Sequence, residues 1–311
     1  MPIKKEKQTS RHSVPPCNSS GIKKIKFGFP SGTLRNQTIK LFEAAGYEVK
    51  LEEDLYQIWI DDPEIKCVLS RAQEIAKFVK DGILDAGITE SAFIIDQKID
   101  VVEAVKLNYG SKTWRNGKIV IAIPEDSKIR LVKDLKGKKI LARVPELTKN
   151  YLKKHKITAE VEYTDRPGEP KIPALGDALV EFTNTGAALF AHGLKILDTL
   201  IETSPTLIVN KKVWADKDKR EKIENLGVLL MGARVAQEYV GLMLHASNDM
   251  METVFKILPA LKKPTVTHLR GENWFDILTV AHKKEIRNLI PKLKEIGCTD
   301  IVEFPLNKVI L

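Results

Sequence analysis

The chain of 311 residues contains only three cysteines, Cys17, Cys67 and Cys298. They are odd in number and far apart, with no Cys-x-x-Cys pair and no histidine at metal-ligand spacing. That excludes a disulfide framework or structural zinc and suits a reducing compartment. No stretch approaches the ~18 consecutive apolar residues of a membrane span, so no membrane association is expected. Residues 1–22 also lack the apolar run of a secretory signal, which leads us to expect a cytoplasmic location. We read them as a disordered basic tail, the alternative for a Ser- and Lys-bearing leader being a transit peptide. Aromatic residues make up only 6% of the chain. Trp59, Trp114, Trp214 and Trp274 are too dispersed for a cofactor box and are read as packing residues. No basic stripe is interleaved with aromatics, which argues against a nucleic-acid partner.

What is present fits a globular protein of two or three domains, with 43% apolar residues and a net charge of +9. Residues 1–26 carry seven Lys or Arg against one Glu, so most of that charge belongs to the tail. The body is only mildly basic, as an anion-binding pocket would make it.

Periodicity predicts a strand over 25–29, a helix over 34–45 stopped at Gly46, a strand over 65–69, a helix over 71–81 and a buried strand over 84–88. This βαβ order demands a parallel sheet with helices on its faces. A second α/β unit opens with the strand at 117–124 and continues through 138–143, a helix over 147–154, a strand over 160–163 and a strand over 177–182. The phrases Asp81-Gly-Ile-Leu-Asp85-Ala-Gly and Leu175-Gly-Asp177-Ala-Leu resemble one another, each delivering an Asp on a strand. They are read as matching cleft edges of two related lobes. Such a plan resembles the periplasmic binding proteins, with ligand beyond the carboxyl ends of the strands. Lobe I is expected to comprise 23–112 and 203–235, and lobe II 113–202. The stretch 200–209 crosses back between them, and a connecting helix covers 216–236. From 236 to 311 the predicted order is βαββαβ, a ferredoxin-like domain.

The segment from Asp177 to Leu194 carries the most chemistry. As a strand, 177–182 turns Asp177 and Glu181 to one face, where two carboxylates could receive ribose hydroxyls. Thr183, Asn184, Thr185 and Gly186 then supply hydroxyls and backbone N–H groups where a helix begins near Ala187, an arrangement that attracts phosphate. A capped helix after an ordinary strand is the other reading.

This segment resembles the phosphoribosyl-diphosphate motif of ATP phosphoribosyltransferases. Phe29-Pro-Ser-Gly-Thr-Leu34, Ile60-Asp-Asp-Pro-Glu-Ile65, Arg71-Ala-Gln-Glu-Ile75, Asp81 to Thr89, Asp134-Leu-Lys-Gly-Lys-Lys139 and Val302 to Val309 are similar to further family motifs in the same order. The resemblance covers roughly 23–311 and includes the C-terminal extension of the long form. It implies transfer of ribose 5-phosphate from phosphoribosyl diphosphate to N1 of ATP, the first step of histidine biosynthesis. Mg²⁺ would be carried on the leaving diphosphate rather than by the protein. The resemblance also implies feedback inhibition by histidine through 236–311, and homo-oligomers, dimers and hexamers. Asp177, Glu181, Thr183, Asn184, Thr185, Gly186, Ala187, Ala188 and Leu189 would bind phosphoribosyl diphosphate. Gly32, Leu34, Arg71, Asp85 and Thr89 would meet ATP or the diphosphate, although Arg71 also reads as a solvated first-turn residue. No residue is assigned as acid or base.

Several positions depart from the family pattern. Ser31 stands where a Lys is usual, Ala188 where a hydroxyl residue is usual, His192 where an Asn is usual, and Glu90 replaces a Gly. Two lost charge-assisted hydrogen bonds would weaken phosphate binding on the order of 10²- to 10⁴-fold. Lys112, Arg166 and Lys171 are candidates to compensate. A catalytically silent paralogue that binds a nucleotide or histidine and regulates a partner is therefore an alternative reading, and a small-solute-binding protein is another. His192 also reads as a helix-surface residue. His245, His268 and His282 fall at strand or turn positions, and no metal site is assigned to them.

Overall fold

The computed structural model describes residues 24–52, 57–109, 117–165, 168–261, 263–271 and 273–311. Lys112, Arg166, Cys17, Trp114 and the basic tail lie outside the described residues.

The first lobe is built on a five-stranded sheet. Its chain order is β1 (Ile25–Pro30), α1 (Arg35–Ala44), the hairpin β2 (Val49–Glu52) and β3 (Gln57–Ile60), β4 (Ile65–Ser70), α2 (Ala72–Lys80), β5 (Ala86–Glu90), α3 (Ser91–Asp96) and β6 (Val102–Lys106). Strands β4, β1 and β5 run parallel. Phe27 and Phe29 on β1 are fully buried, as a parallel strand covered on both faces requires. Helix α2 lies unusually close to this sheet. A Cβ on Gly87 would stand 2.6 Å from Ile75 Cγ2 and one on Gly28 would stand 2.8 Å from the same atom, so two glycines make room for the helix.

The second lobe contains β7 (Gly117–Pro124), β8 (Lys139–Ala142), α4 (Pro145–Lys154), β9 (Glu160–Tyr163), β10 (Ala178–Thr183), α5 (Ala187–Ala191) and β11 (Leu194–Thr203), in sheet order β11-β7-β10-β8-β9. The stretch read as one crossing segment is two strands. β11 ends at Thr203, and after Ser204 the chain enters β12 (Pro205–Val209), which pairs with β5 and β6 of the first sheet. One apolar cluster runs through both lobes, joining Ile75, Val79 and Phe93 to Ile121, Val144 and Leu147. Asp96, at the end of α3, accepts a hydrogen bond from the Leu147 amide in the first turn of α4 at 2.9 Å. The two lobes therefore share packing as well as chain crossings.

After α6 (Lys211–Ala215), α7 (Lys217–Ala236) starts where the Asp216 side chain accepts from the amides of Asp218 and Lys219. It buries Ile223, Leu226, Leu230 and Ala233 against the first lobe. The remaining elements are β13 (Tyr239–Ser247), α8 (Met251–Ile257), β14 (Thr265–His268), β15 (Trp274–His282), α9 (Lys283–Ile296) and β16 (Thr299–Pro305). They form an antiparallel sheet in the order β14-β15-β13-β16 with its own core around Leu242, Leu244, Ile277 and Leu293. This is the ferredoxin-like plan. The chain end then returns to the first lobe, where Lys308 Nζ donates to the Ala45 carbonyl and the Val309 amide to the Gly232 carbonyl, each at 2.9 Å. The architecture is the two-lobed α/β body with a ferredoxin-like extension that the sequence pattern implies.

Candidate active site

A cleft of about 620 Å³ opens between the lobes at the carboxyl ends of β1, β5, β7's partner β10, β8 and β9. The first lobe contributes Ser31, Gly32, Leu34, Gln37, Arg71 and Glu90, and the second Lys118, Arg143, Asp165 and the loop after β10. Phe93 and Phe182 meet across it with ring centroids 5.1 Å apart.

The loop after β10 lies at the cleft, with Thr183, Asn184, Thr185, Ala187 and Ala188 lining it. Its amides are partly engaged within the loop. The Gly186 amide donates to Thr183 Oγ1 at 2.8 Å and the Ala187 amide to Thr185 Oγ1 at 3.3 Å. Gly186 has φ +80°, which favours glycine. Helix α5 has only five residues, so its dipole is a weak attractant and the anion chemistry falls to hydroxyls and cations. Leu189 is buried in the core with Val120 and Leu179 rather than facing the cleft. His192 Nδ1 lies 2.8 Å from the Ala188 carbonyl, the position of a helix-surface residue.

The expected roles of Asp177 and Asp85 are corrected. Each precedes the amino end of its strand, whereas the cleft lies at the carboxyl end. For β10 that separation is roughly 20 Å at ~3.3 Å per residue. Asp177 Oδ2 accepts from the Lys139 amide at 2.9 Å and Oδ1 pairs with Lys138 Nζ at 3.2 Å. Asp85 Oδ2 accepts from the Lys26 amide at 2.7 Å and Oδ1 pairs with Lys219 Nζ at 2.9 Å. In both lobes the same Asp amide donates back to the same partner residue's carbonyl. The repeated phrase is a repeated structural corner, joining the starts of neighbouring strands, and not a pair of cleft edges. Glu181 shares a strand face with Asp177 but is buried, and it accepts from the Phe182 amide at 2.9 Å. Thr89 is buried too and donates to the Ala72 carbonyl at 2.6 Å, so it supports Arg71 rather than lining the cavity.

Arg143 and Asp165 escape the sequence reading. Both follow the carboxyl end of a strand, β8 and β9, and that rule was the available signal. Lys171 serves the loop backbone instead of the cleft, donating to Thr164 Oγ1 at 2.5 Å and to the Asp165 carbonyl at 2.7 Å. Beside Leu34, the Tyr109 hydroxyl shares a 2.5 Å hydrogen bond with Thr38, and burial raises the Tyr109 pKa well above the usual phenol range. Glu90 accepts from Thr203 Oγ1 at 3.0 Å where β11 gives way to β12. Ser31, Glu90 and Ala188, three of the positions singled out in the sequence, all line the cleft.

Comparison with known proteins gives this cleft a context. The family model described as ATP phosphoribosyltransferase matches residues 71–232, and the model described as HisG, C-terminal domain, matches 236–308. The ATP phosphoribosyltransferase of Solibacter usitatus is 43% identical over 287 residues, which is 92% of this chain and 99% of that protein. The chain belongs to the ATP phosphoribosyltransferase family. The enzyme of that name from Desulforudis audaxviator is 41% identical over the same share of each chain. Among solved structures, the ATP phosphoribosyl transferase (HisG:HisZ) complex from Thermotoga maritima superposes with a TM-score of 0.55 at 19% identity, covering 66% of this chain and 98% of that one. That likeness concerns the fold. The separate match over 236–308 adds the HisG C-terminal domain to that membership. Among the described residues no helix is long and apolar enough to cross a membrane.

Proposed function

We propose that this protein is an ATP phosphoribosyltransferase that moves ribose 5-phosphate from phosphoribosyl diphosphate to N1 of ATP. The observation that carries the reading is full-length identity of 41–43% to enzymes of that name, joined to a cleft in which three cations face a hydroxyl-rich loop. The bond from the anomeric carbon to the diphosphate oxygen breaks, and a bond from that carbon to N1 forms with inversion. The nucleophile is a neutral ring nitrogen and the leaving group an anion, so little acid–base work is needed. Positioning and charge stabilisation supply most of the rate.

In this reading Thr183, Asn184 and Thr185, with Ala187 and Ala188, hold the 5-phosphate. Arg71, Arg143 and Lys118 take the diphosphate and the ATP phosphates. Arg143 supplies a charge that offsets the Ser31 departure. Gly32 and Leu34 form the wall met by the base or its ribose. Glu181 keeps the loop in place through the Phe182 amide. Among the described residues no three His, Cys, Asp or Glu side chains cluster as metal ligands, and Asp165 is engaged by two arginines. In this reading Mg²⁺ arrives on the substrate. Bound there, the ion would supply positive charge to offset that of the departing diphosphate.

We extend the reading to histidine as an inhibitor acting through 236–308, the part that matches the HisG C-terminal domain, and to a homo-oligomer, dimer or hexamer. Ser31 and Glu90 in the cleft favour a second reading, a silent regulatory subunit. Absorbance growth from N1-phosphoribosyl-ATP at saturating substrates and Mg²⁺ decides between them. Turnover establishes the enzyme, whereas histidine binding without turnover establishes the regulator.

A further inference from the structure

Two guanidinium groups reach the cleft from opposite lobes, and one carboxylate joins them. Arg71 Nη1, from the cap position of α2, lies 2.6 Å from Asp165 Oδ2. Arg143 Nη1, just past β8, donates to Asp165 Oδ1. All three residues line the cavity. Each carboxylate oxygen thus takes a different arginine, as two oxygens of a phosphate or diphosphate would. The Arg143 side chain is only 11% exposed, against 40% for Asp165 and 58% for Arg71. Arg143 also keeps a buried Nε with no hydrogen-bond partner among the described residues. Lys171 grips the Asp165 carbonyl and the Thr164 hydroxyl, which anchors the main chain and leaves side-chain rotation to move the carboxylate.

We propose that Asp165 is a positioning residue that competes for the diphosphate seat on Arg71 and Arg143 and yields it to the substrate. The proposal rests on the reading above. A diphosphate can take both arginines only in molecules whose bridge has opened, so its apparent dissociation constant is raised by the inverse of that fraction. After transfer, the returning carboxylate competes with the product diphosphate for the same donors and hastens its release. Because Arg71 and Arg143 belong to different lobes, the bridge also holds the two halves of the seat at the spacing one anion can span.

The test is calorimetric titration of the full-length protein with inorganic diphosphate and Mg²⁺, together with steady-state kinetics, for wild type, Asp165→Asn and Asp165→Ala. If the seat is open one time in ten, both variants should bind diphosphate about tenfold more tightly. KM for phosphoribosyl diphosphate and kcat should then fall together, which a merely structural role would not produce. Equal or weaker binding in variants that melt like wild type overturns the proposal, and weaker binding with lost turnover would make Asp165 a direct substrate ligand. Asp165→Ser replaces either variant if it fails to fold. Should wild type itself neither turn over nor bind diphosphate, the functional reading fails. Turnover by wild type without a gain in the variants sinks the competitor role alone.

Discussion

The buried hydroxyl of Thr89 donates to the Ala72 carbonyl at 2.6 Å, so the end of β5 fixes the first turn of the helix that follows Arg71. Thr89→Val preserves shape and removes the donor. Losing this one hydrogen bond costs about 0.5 to 1.5 kcal/mol. Denaturant unfolding should record that loss. KM for phosphoribosyl diphosphate should rise more than kcat falls, and an unaltered KM would show that Thr89 does not govern Arg71.

Removing Arg143 should be more damaging than removing an exposed cation, because its side chain is only 11% exposed. One hydrogen bond to a charged group contributes about 1.5 to 3 kcal/mol, so Arg143→Ala should lower kcat/KM by roughly 10- to 10²-fold. Arg143→Lys keeps the charge without the planar fork and should recover only part of the loss. Wild-type kinetics from Arg143→Ala would remove it from the binding site.

Asp177→Asn is expected to retain turnover. The carboxylate pairs with Lys138 and the Lys139 amide at the far end of β10. A partly exposed ion pair there contributes about 0 to 1 kcal/mol. A shift of the unfolding midpoint with intact initial rates is the predicted result, and abolished turnover would restore the ribose-binding role expected from strand alternation.

Burial raises the pKa of Asp96, with the amides of Leu147 and Glu146 opposing that shift. A carboxyl whose folded pKa exceeds its unfolded one binds more protons in the folded state. Stability from this group is therefore greatest at low pH and declines as pH rises from about 4 through the folded value. Asp96→Asn removes this titration and with it this declining contribution to the stability profile. The difference in unfolding midpoint, wild type minus variant, should fall as pH rises across this range. A constant difference would assign the dependence to other groups.

The repeated Asp-Ala phrases show what a sequence reading can reach. Alternation correctly turns Asp177 and Glu181 to one side of β10, yet position along the strand decides which of them approaches the cleft. The pattern carries no sign of the reciprocal bonds to Lys139 and Lys26 that hold Asp177 and Asp85 at the strand starts. Long periodic elements such as α7 and α9 are legible because burial imposes a period on their apolar residues. The hairpin β2–β3 and strand β6 are short and half-exposed, and α3, though mostly buried, has only six residues, so that period is weak in all of them. Ser204, where the chain changes sheets, has no local signature, because the break is set by which sheet each flanking strand joins. Arg143 is hidden for another reason: its value comes from Arg71 and Asp165, distant in sequence and adjacent only after folding.

The apolar cluster shared by the two lobes has a thermal consequence. Ile75, Val79 and Phe93 cannot lose their packing without exposing Ile121 and Leu147 as well, so the two sheets should melt as a single calorimetric unit. The ferredoxin-like domain has a separate core and is tied back through the Lys308 and Val309 contacts. Trimming the chain after Asn307 should therefore split one heat-absorption peak into two, leaving the two-sheet body as the later-melting species.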